Sequence, residues 1–503
     1  MVTMASPLER AVQVGSQRIA VSCGDVQLTY AQTAERCKRL VAGLRGLGLG
    51  AGDRVAVVGP NCHRYLELYQ AVPSAGMVIV PLNARHTSAE LRYAIEDGGV
   101  RVLFSALGDM GVADAVEHVV DLDDGYEQLL ARSFPEEIRT EVDENDLAGL
   151  FYTGGTTGAS KGVMLSHRNL VANATHMAMC WPFTVDTRFL IIAPLFHAAG
   201  SVAVLSTVWS AGLQVTLPTF DPARALDLIE QHAITHTLVV PTMLAAMSEE
   251  QFSRPRDVSS LQHLGHGGSP IAAETLRRAH AAFPSTALLH VYGATELAPL
   301  ATLLPNEELV LDTERVRSCG QPAVGVDVAV IGADGTRQKT GEVGEIAVRG
   351  PNVMLGYWNK PAETAAALVD GWYRSGDLGF QDEEGYVFLV DRAKDMIVSG
   401  GENVYSTEVE DALYKHPAVL EAAVFGVPDK KWGEAVYAVV VPRSPVQADE
   451  LIEHCRELIA GYKIPKHIDV RDEPLPKSGA GKVLKRELRS TYWESADSDV
   501  AGA

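Results

Sequence analysis

The sequence has few cysteines, none of them clustered, and no excess of basic residues. Its six cysteines, at positions 23, 37, 62, 180, 319 and 455, form neither a CxxC pair nor a Cys/His group. This spacing argues against a zinc site or a disulfide framework and predicts reduced thiols in a cytoplasmic protein. The net charge of −21 argues against a broad nucleic-acid or anionic-membrane surface. Any anionic ligand therefore requires a local basic site.

Targeting and membrane signals are also missing. The N-terminus, MVTMASPLERAVQVGSQ, has neither the basic start nor the apolar core of a signal peptide. Residues 189–220 contain no Asp, Glu, Lys or Arg and are long enough to cross a bilayer. Prolines and glycines interrupt them, so we interpret the stretch as a buried strand, a loop, a helix and a strand rather than a transmembrane segment.

The length of 503 residues predicts more than one domain. Strand and helix patterns alternate up to about residue 105 and again over 148–300, which predicts parallel sheets covered by helices. Thr29 and Thr87 open two of the helices as capping boxes. Short strands separated by glycine and aspartate follow over 315–391. We place the main boundary at DRAKDM, residues 391–396.

The stretch FYTGGTTGASKGV, residues 151–163, predicts a loop that holds an anion. Glycine lets backbone N–H groups approach a phosphate, threonine hydroxyls add donors, and Lys161 adds a positive charge. We expect the loop to lie between a strand at 148–152 and a helix beginning near 166. It is not a Walker A loop, because Gly162 follows the lysine where that motif requires serine or threonine.

Four further motifs accompany this loop. VYGATE (291–296) combines an aromatic residue, a hydroxyl and a carboxylate, and GWYRSGDLG (371–379) places Asp377 in a glycine-flanked turn. DRAKDMIVSGGENV (391–404) carries Arg392 before a Gly-Gly turn, and PKSGAGKV (476–483) places Lys482 in a glycine-rich setting.

With these five motifs in this order, the chain resembles an acyl-CoA synthetase of the acyl-adenylate-forming superfamily over nearly its whole length. The resemblance implies an α/β fold with a large N-terminal domain, residues 1–391, made of two helix-flanked sheets and a small β-barrel. It also implies a hinge at 392–394 and a small mobile α+β domain at 395–503. The implied substrates and cofactors are a carboxylic acid, ATP, Mg²⁺ and CoA.

The resemblance assigns roles in the first half-reaction, in which a carboxylate attacks the α-phosphorus of ATP. Thr295 would bind the α-phosphate, Glu296 and Thr153 would hold Mg²⁺, and Lys482 would stabilise charge between the carboxylate and the α-phosphate. Tyr292 would stack on adenine, with Gly293 next to it in the same motif, and Asp377 and Arg392 would hold the ribose. The β- and γ-phosphates would lie on the loop residues Thr153, Gly154, Gly155, Thr156, Thr157, Gly158 and Lys161, and the adenine beside the turn of Gly267, Gly268 and Ser269.

In the second half-reaction a thiol displaces AMP. Lys394 matches the hinge position, about which the C-terminal domain would swing to remove Lys482 and bring up the Gly400-Gly401 turn. That turn would admit the pantetheine arm, and Trp432 would flank CoA. Structural roles stay open for several of these residues, including surface packing for Trp432, core packing for Tyr292 and a solvated side chain for Lys482.

PLFHAAG (194–200) matches the segment that opens the acyl pocket, with His197 at the gate position, although a histidine packed away from substrate stays an alternative. No carboxylate follows until Asp221, which argues against an amino-acid substrate, and ALLH at 287–290 lacks the arginine of malonate-type enzymes. We expect a roomy pocket for an uncharged monocarboxylate, either a medium-to-long aliphatic acid or a bulky aryl acid. The expected wall is Ala198, Ala199, Met243, Val291, Gly293, Ala294, Ala298 and Pro299.

Three rival functions stay open. An adenylate ligase could load a separate acyl-carrier protein, a luciferase-like oxygenase would share the fold, and a non-catalytic nucleotide-binding protein would be expected to lose Lys482 or Glu296. The sequence does not decide between a monomer and a homodimer.

Overall fold

The computed structural model describes residues 2–108, 110–138, 141–153, 160–269, 271, 273–306, 310–392, 395–399, 402–429, 431–477, 483–485, 487–489 and 492. The chain forms two compact units, one of Met1–Val328 and Val348–Arg374 and the other of Ala329–Ala347 and Ser375–Ala503. The predicted domain boundary at 391 stays a prediction, and Lys394 of the predicted hinge lies outside the described residues.

The helices are α1 (Ser6–Gly15), α2 (Tyr30–Gly46), α3 (His63–Ser74), α4 (Ser88–Gly98), α5 (Asp124–Arg132), α6 (His167–Cys180), α7 (Ala198–Trp209), α8 (Pro222–His232), α9 (Pro241–Ser253), α10 (Ala273–Ala282), α11 (Pro361–Ala367), α12 (Ser406–Tyr414) and α13 (Ala448–Leu458). Short 3₁₀ helices span Ala113–Ala115, Thr295–Leu297 and Glu314–Arg317. Within the described ranges, no helix combines the length and the apolar composition that crossing a membrane requires.

The strands are β1 (Ile19–Cys23), β2 (Val26–Thr29), β3 (Arg54–Val58), β4 (Val78–Leu82), β5 (Val100–Ser105), β6 (His118–Asp121), β7 (Leu147–Thr153), β8 (Lys161–Ser166), β9 (Arg188–Ile191), β10 (Leu213–Thr216), β11 (His236–Val239), β12 (His263–Gly267), β13 (Ala287–Gly293), β14 (Leu300–Asn306), β15 (Gln321–Pro322), β16 (Asp327–Ile331), β17 (Gly344–Arg349), β18 (Gly356–Tyr357), β19 (Leu368–Val369), β20 (Trp372–Gln381), β21 (Val387–Arg392), β22 (Ile397–Ser399), β23 (Glu402–Val404), β24 (Val419–Asp429), β25 (Gly433–Pro442) and β26 (His467–Val470).

The first unit contains the two predicted sheets. One has nine strands in the order β15-β14-β13-β12-β11-β9-β10-β1-β2, and the other has seven in the order β18-β8-β7-β4-β3-β5-β6. Strands β13, β12, β11, β9, β10 and β1 are parallel, as are β7, β4, β3, β5 and β6. The alternation of strand and helix therefore confirms the predicted architecture, because βαβ crossovers make neighbouring strands parallel.

Local signals explain where several elements begin and end. Both predicted capping boxes are present: Thr29 accepts from the N–H of Gln32, and Thr87 accepts from the N–H of Glu90. Residues 189–220 form the end of β9, a loop, α7 and β10, as expected. The helix expected near 166 begins at His167, but a strand, β8, precedes it. The predicted phosphate loop therefore joins two antiparallel strands, and the expectation of a strand-to-helix loop was wrong.

The second unit contains a sheet of β23, β22, β25, β24 and β26, with α12 and α13 packed on it. Its apolar core contains residues of both the sheet and the helices and includes Val409, Leu413, Val424, Val440 and Leu451. The same unit holds β20 from Ser375 onward and β21, joined by the predicted turn at 382–385. The β-barrel expected from the resemblance corresponds to a five-stranded sheet of β16, β17, β20, β19 and β21.

Candidate active site

The carboxyl edge of the nine-stranded sheet gathers segments that are far apart in sequence. His197 follows β9, Met243 follows β11, the turn of Gly267 and Gly268 ends β12, and Tyr292 lies near the end of β13. These strands run parallel, so their following residues emerge at one edge, where open α/β sheets commonly bind ligands. The fold therefore places the predicted acyl and adenine residues on the same side of the sheet.

Glycine is required at two points of this edge because the backbones approach closely. A Cβ on Gly267 would lie 2.2 Å from the carbonyl oxygen of Val291, and one on Gly293 would lie 1.7 Å from that of Pro299. Gly268 has φ +83°, a left-handed conformation that glycine adopts without strain. Side chains at Gly267 and Gly293 would therefore collide with the neighbouring backbone at this edge of the sheet.

A hydrogen-bonded cluster forms around Glu296, which lies in the short 3₁₀ helix that begins at Thr295. The hydroxyl of Tyr357 donates to Glu296 Oε1 at 2.8 Å, and the Lys161 ammonium lies 5.0 Å from the centre of the Tyr357 ring. Burial, together with the Glu296 charge, raises the pKa of Tyr357, so the phenol stays protonated and donates. The cluster joins two predicted residues through Tyr357, a residue that sequence reasoning missed.

The donor set fits Mg²⁺ held mainly by phosphate oxygens. Glu296 supplies one carboxylate, and Thr153 ends β7 opposite Lys161 in the β7–β8 register. Within the described part of the chain, His, Cys, Asp and Glu form no group of three that could hold a metal. Mg²⁺ commonly takes one or two protein carboxylates and completes its octahedron with water and substrate phosphates. Residues 154–159, which include Gly154, Gly155, Thr156, Thr157 and Gly158, lie outside the described residues.

His197 is largely buried at the N-terminus of α7. Burial lowers its pKa to about 4, with Arg85 and His86 adding to the effect, so the imidazole is neutral near pH 7. Its Nε2 is buried and has no described hydrogen-bond partner. The side chain thus presents a neutral polar group at the predicted pocket entrance, where a ligand or water could bond to it.

The residues of the expected pocket wall are apolar, and most of them are partly exposed. Ala198 and Ala298 are buried, at 3% and 0% exposure, whereas Ala199, Met243, Val291, Ala294 and Pro299 are partly exposed and Gly293 is exposed. A surface cavity of about 390 Å³ lies elsewhere, lined by residues of 251–259 and 281–285. Those segments lead into β12 and β13 at the amino edge, so this cavity does not represent the predicted pocket.

In the second unit, Asp377 and Arg392 face each other across the β20–β21 pair. Arg392 Nε lies 3.2 Å from Asp377 Oδ1, and the two residues are direct partners in the register. Asp377 therefore lies within a strand and not in the turn that its flanking glycines predicted. The pairing brings together the two residues that were expected to hold the ribose.

Trp432 lies in the turn between β24 and β25 and is 37% exposed. Lys431 Nζ lies 4.6 Å and Lys466 Nζ 5.5 Å from the ring centre. The exposed ring thus has two positive charges beside it. This arrangement is compatible with the predicted contact to CoA, which is anionic and contains a purine. Gly400, Gly401 and Lys482 lie outside the described residues.

Comparison with known proteins agrees with this arrangement. The AMP-binding enzyme profile matches residues 8–358, and the profile of the AMP-binding enzyme C-terminal domain matches residues 408–482. A feruloyl-CoA synthase from an Amycolatopsis species is 41% identical over 491 residues, 97% of this chain and 98% of that protein. A medium/long-chain-fatty-acid–CoA ligase of Mycobacterium tuberculosis is 35% identical, over 94% of this chain and 87% of that protein.

Among solved structures, o-succinylbenzoate CoA synthetase from Bacillus subtilis has the same fold. Its complex with the acyl-adenylate intermediate gives a TM-score of 0.89 at 32% identity, covering 97% of this chain and 98% of that chain. Its complex with ATP and magnesium ion gives a TM-score of 0.87 at 32% identity, covering 96% of this chain and 98% of that chain. The chain therefore belongs to the AMP-binding enzyme family and is an ATP-dependent acyl-CoA ligase.

Proposed function

We propose that the enzyme activates an uncharged monocarboxylic acid as its acyl-adenylate and transfers the acyl group to CoA, releasing AMP and pyrophosphate. The observation that carries this proposal is that residues 287–290, where malonate-type relatives carry an arginine, read ALLH in this chain. His290 lies one residue before Val291, stacks on His266 at 5.0 Å, and has a pKa lowered to about 4 by burial. His290 is therefore neutral near pH 7 and supplies no fixed positive charge in place of that arginine.

A hydroxycinnamic acid such as ferulate is the first candidate substrate. The feruloyl-CoA synthase relative supports it through 41% identity over nearly the whole chain. A medium- or long-chain fatty acid is the second candidate, supported by the mycobacterial ligase at 35% identity. Both acids have an apolar body and a single carboxylate, which suits a wall of small apolar residues.

For the phosphate chemistry, we assign roles to described residues of the first unit. Lys161 would neutralise phosphate charge, Thr295 would donate to the α-phosphate, and Glu296 with Thr153 would hold Mg²⁺. When bound, Mg²⁺ supplies charge neutralisation between phosphate oxygens. Tyr357 orients the Glu296 carboxylate by its hydrogen bond, and Tyr292 offers a face for adenine beside Gly267, Gly268 and Ser269.

The residues of the second unit would complete both half-reactions. Asp377 would accept from the ribose hydroxyls, held in place by Arg392, and Lys482 would stabilise charge between the two reacting anions. In the second step, Gly400 and Gly401 would admit pantetheine beside Trp432 after rotation about Lys394. The separation of adenylation from thioester formation on one mobile domain is the mechanism that the family resemblance implies.

An acid panel with ATP and Mg²⁺ tests this function. We expect acid-dependent exchange of labelled pyrophosphate into ATP with ferulate or fatty acids, and CoA thioester as the product when CoA is added. Acetate, malonate and amino acids serve as matched negative substrates. Preference for malonate or an amino acid would contradict the proposal of an uncharged monocarboxylate. Thioester formation only on an acyl-carrier protein would contradict the assignment of CoA as acceptor.

A further inference from the structure

The segment that carries Lys482 is anchored at both of its described ends. Lys477 and Val483 form an antiparallel bridge, and the N–H of Leu484 donates to the carbonyl of Pro476 at 2.8 Å. The described residues 475–477 and 483–485, which we call the first and second stem, are therefore held together by their backbones.

Ion pairs reinforce both stems. On the first stem, Lys477 pairs with Glu421 of β24, whose other oxygen accepts from the N–H of Leu475 at 3.0 Å. On the second stem, Lys485 Nζ lies 2.7 Å from Glu410 Oε1 of α12. Less than a fifth of either side chain of the Lys485–Glu410 pair is exposed, so solvent screens it weakly.

The second pair continues into a network that reaches the end of β21. Lys485 Nζ donates to Ser406 Oγ at 2.7 Å, and Ser406 donates through its N–H and its hydroxyl to Asp391. Asp391 is 6% exposed and also accepts from the N–H of Arg392 at 2.7 Å. Its carboxylate lies at the N-terminus of α12, where the helix dipole favours a negative charge. The network links Lys485 to the strand that carries Arg392.

We propose that Lys485 is a positioning residue for the adenylation step, because it ties the stem that follows Lys482 in sequence to α12 and, through Ser406 and Asp391, to β21. Lys485 follows Lys482 by three residues, so the two Cα atoms lie within about 11 Å of each other whatever the conformation between them. Fixing Lys485 on Glu410 and Ser406 therefore restricts the reach of Lys482. This inference rests on the proposed role of Lys482, and it adds a residue for which the family resemblance assigned no role.

The charges of the network explain why the anchor persists at neutral pH. Burial lowers the pKa of Lys485, but the carboxylates of Glu410 and Asp391 together outweigh this effect and raise it above its usual value, so the ammonium stays charged. Glu410 also accepts from the N–H of Val424 at 2.8 Å, which fixes its orientation against β24. Removing Lys485 alone would leave Glu410 buried without its partner, a change that costs stability as well as position.

Two variants separate an effect of Lys485 on the adenylation step from its effect on the stability of the protein. Lys485→Met removes the ammonium, and Lys485→Met combined with Glu410→Gln also removes the buried charge left behind. We expect the double variant to recover most of the melting temperature that the single variant loses. In both variants we expect adenylation, measured by acid-dependent pyrophosphate exchange, to fall about 10- to 100-fold. Thioester formation from a supplied acyl-adenylate and CoA should change by less than about threefold, since Lys482 acts only in the first step.

Lys463→Met is the matched control, because Lys463 pairs with Glu408 on the same helix at 2.6 Å but is distant from Lys482 in sequence. We expect it to leave the ratio of the two half-reactions unchanged. Unchanged adenylation in the double variant, equal loss in both half-reactions, or recovery of adenylation together with melting temperature would each overturn the inference. Failure of the wild-type enzyme to exchange pyrophosphate with any acid would instead overturn the proposed function.

Discussion

At the scale of single residues, the hydrogen bond from Tyr357 to Glu296 gives a sharp prediction. Tyr357→Phe keeps the ring beside Lys161 but removes the 2.8 Å bond to the carboxylate. Hydrogen bonds to charged groups contribute about 1.5–3 kcal/mol, so a Glu296 carboxylate released from its orientation should bind Mg²⁺-ATP about tenfold more weakly. Pyrophosphate exchange measured against MgCl₂ and ATP concentration should show a raised KM for Mg²⁺-ATP.

Tyr65→Phe is the control for this substitution. Tyr65 is fully buried in the same unit, and its hydroxyl has no described hydrogen-bond partner. Loss of that hydroxyl should leave the dependence on Mg²⁺ and ATP unchanged. An identical KM for Mg²⁺-ATP in wild type and Tyr357→Phe would show that Glu296 needs no support from the phenol.

Side-chain partners of this kind were beyond the reach of the sequence. Tyr357 lies 61 residues after Glu296, and only the β8–β18 pairing brings it to Lys161. Tyr357 lies in a strand of only two residues, Gly356–Tyr357, so the local sequence carries no signal of its contact with Glu296. The role of Asp377 stays a prediction, but its flanking glycines suggested a turn where the structure has a strand with an irregular register after Leu378.

At the scale of elements, alanine should have opposite effects on stability at two glycines. Gly293→Ala would place a Cβ 1.7 Å from the carbonyl oxygen of Pro299, so the backbone after β13 must shift. Overpacking of this kind costs about 1–3 kcal/mol, and the displaced strand end should also reduce adenylation. Urea unfolding and pyrophosphate exchange together measure both effects.

Gly46→Ala is the matched comparison. Gly46 is the exposed last residue of α2, and a Cβ there would meet nothing within 4 Å. Alanine lowers the entropy of the unfolded chain and favours helix, so we expect a stability gain of up to about 1 kcal/mol with unchanged activity. Equal tolerance of alanine at both positions would contradict the close approach at Gly293.

The elements that local chemistry specifies were predicted well. Both capping boxes mark helix starts because the Thr side chain and the residue three positions later satisfy each other's backbone within one turn. Strand β8 was missed because KGVMLS follows a glycine-rich loop and its pairing partner β7 lies on the far side of that loop. A strand defined by a non-local ladder leaves a weaker local pattern than a capped helix does.

At the scale of the whole molecule, the compact units of the structure are not continuous stretches of sequence. They separate at residues 328, 347 and 374, whereas the predicted domain boundary at DRAKDM, 391–396, falls within the second unit and stays a prediction. Residues 329–347 and 375–391 pack with the C-terminal part of the chain, so the second unit is discontinuous in sequence. A discontinuous unit of this kind depends on pairing between strands that are distant in sequence, and composition along the chain does not reveal that pairing.

Buried histidines predict how the stability of the whole protein depends on pH. Burial lowers the pKa of His63, His167, His197 and His290 to about 4 and that of His236 to about 3. The folded state therefore binds these protons less readily than the unfolded chain, whose histidines titrate near 6.5. Their contribution is fully present above pH 6.5 and is lost as the pH falls towards 4, at up to about 1.4 kcal/mol per pH unit for each group. We expect the free energy of unfolding to fall steeply across this range in urea titrations.

His236 offers the variant that tests this assignment. It packs 4.6 Å from His263 and 5.1 Å from Phe183, and its Nε2 is buried without a described partner. His236→Phe fits the aromatic surroundings and cannot take a proton, so the loss of stability between pH 6.5 and 4 should be less steep than in wild type. Trp181→Phe perturbs the same cluster without removing a titrating group and should lower stability by a constant amount at every pH. If His236→Phe and wild type lose stability in parallel as the pH falls, protonation of this histidine does not drive acid unfolding.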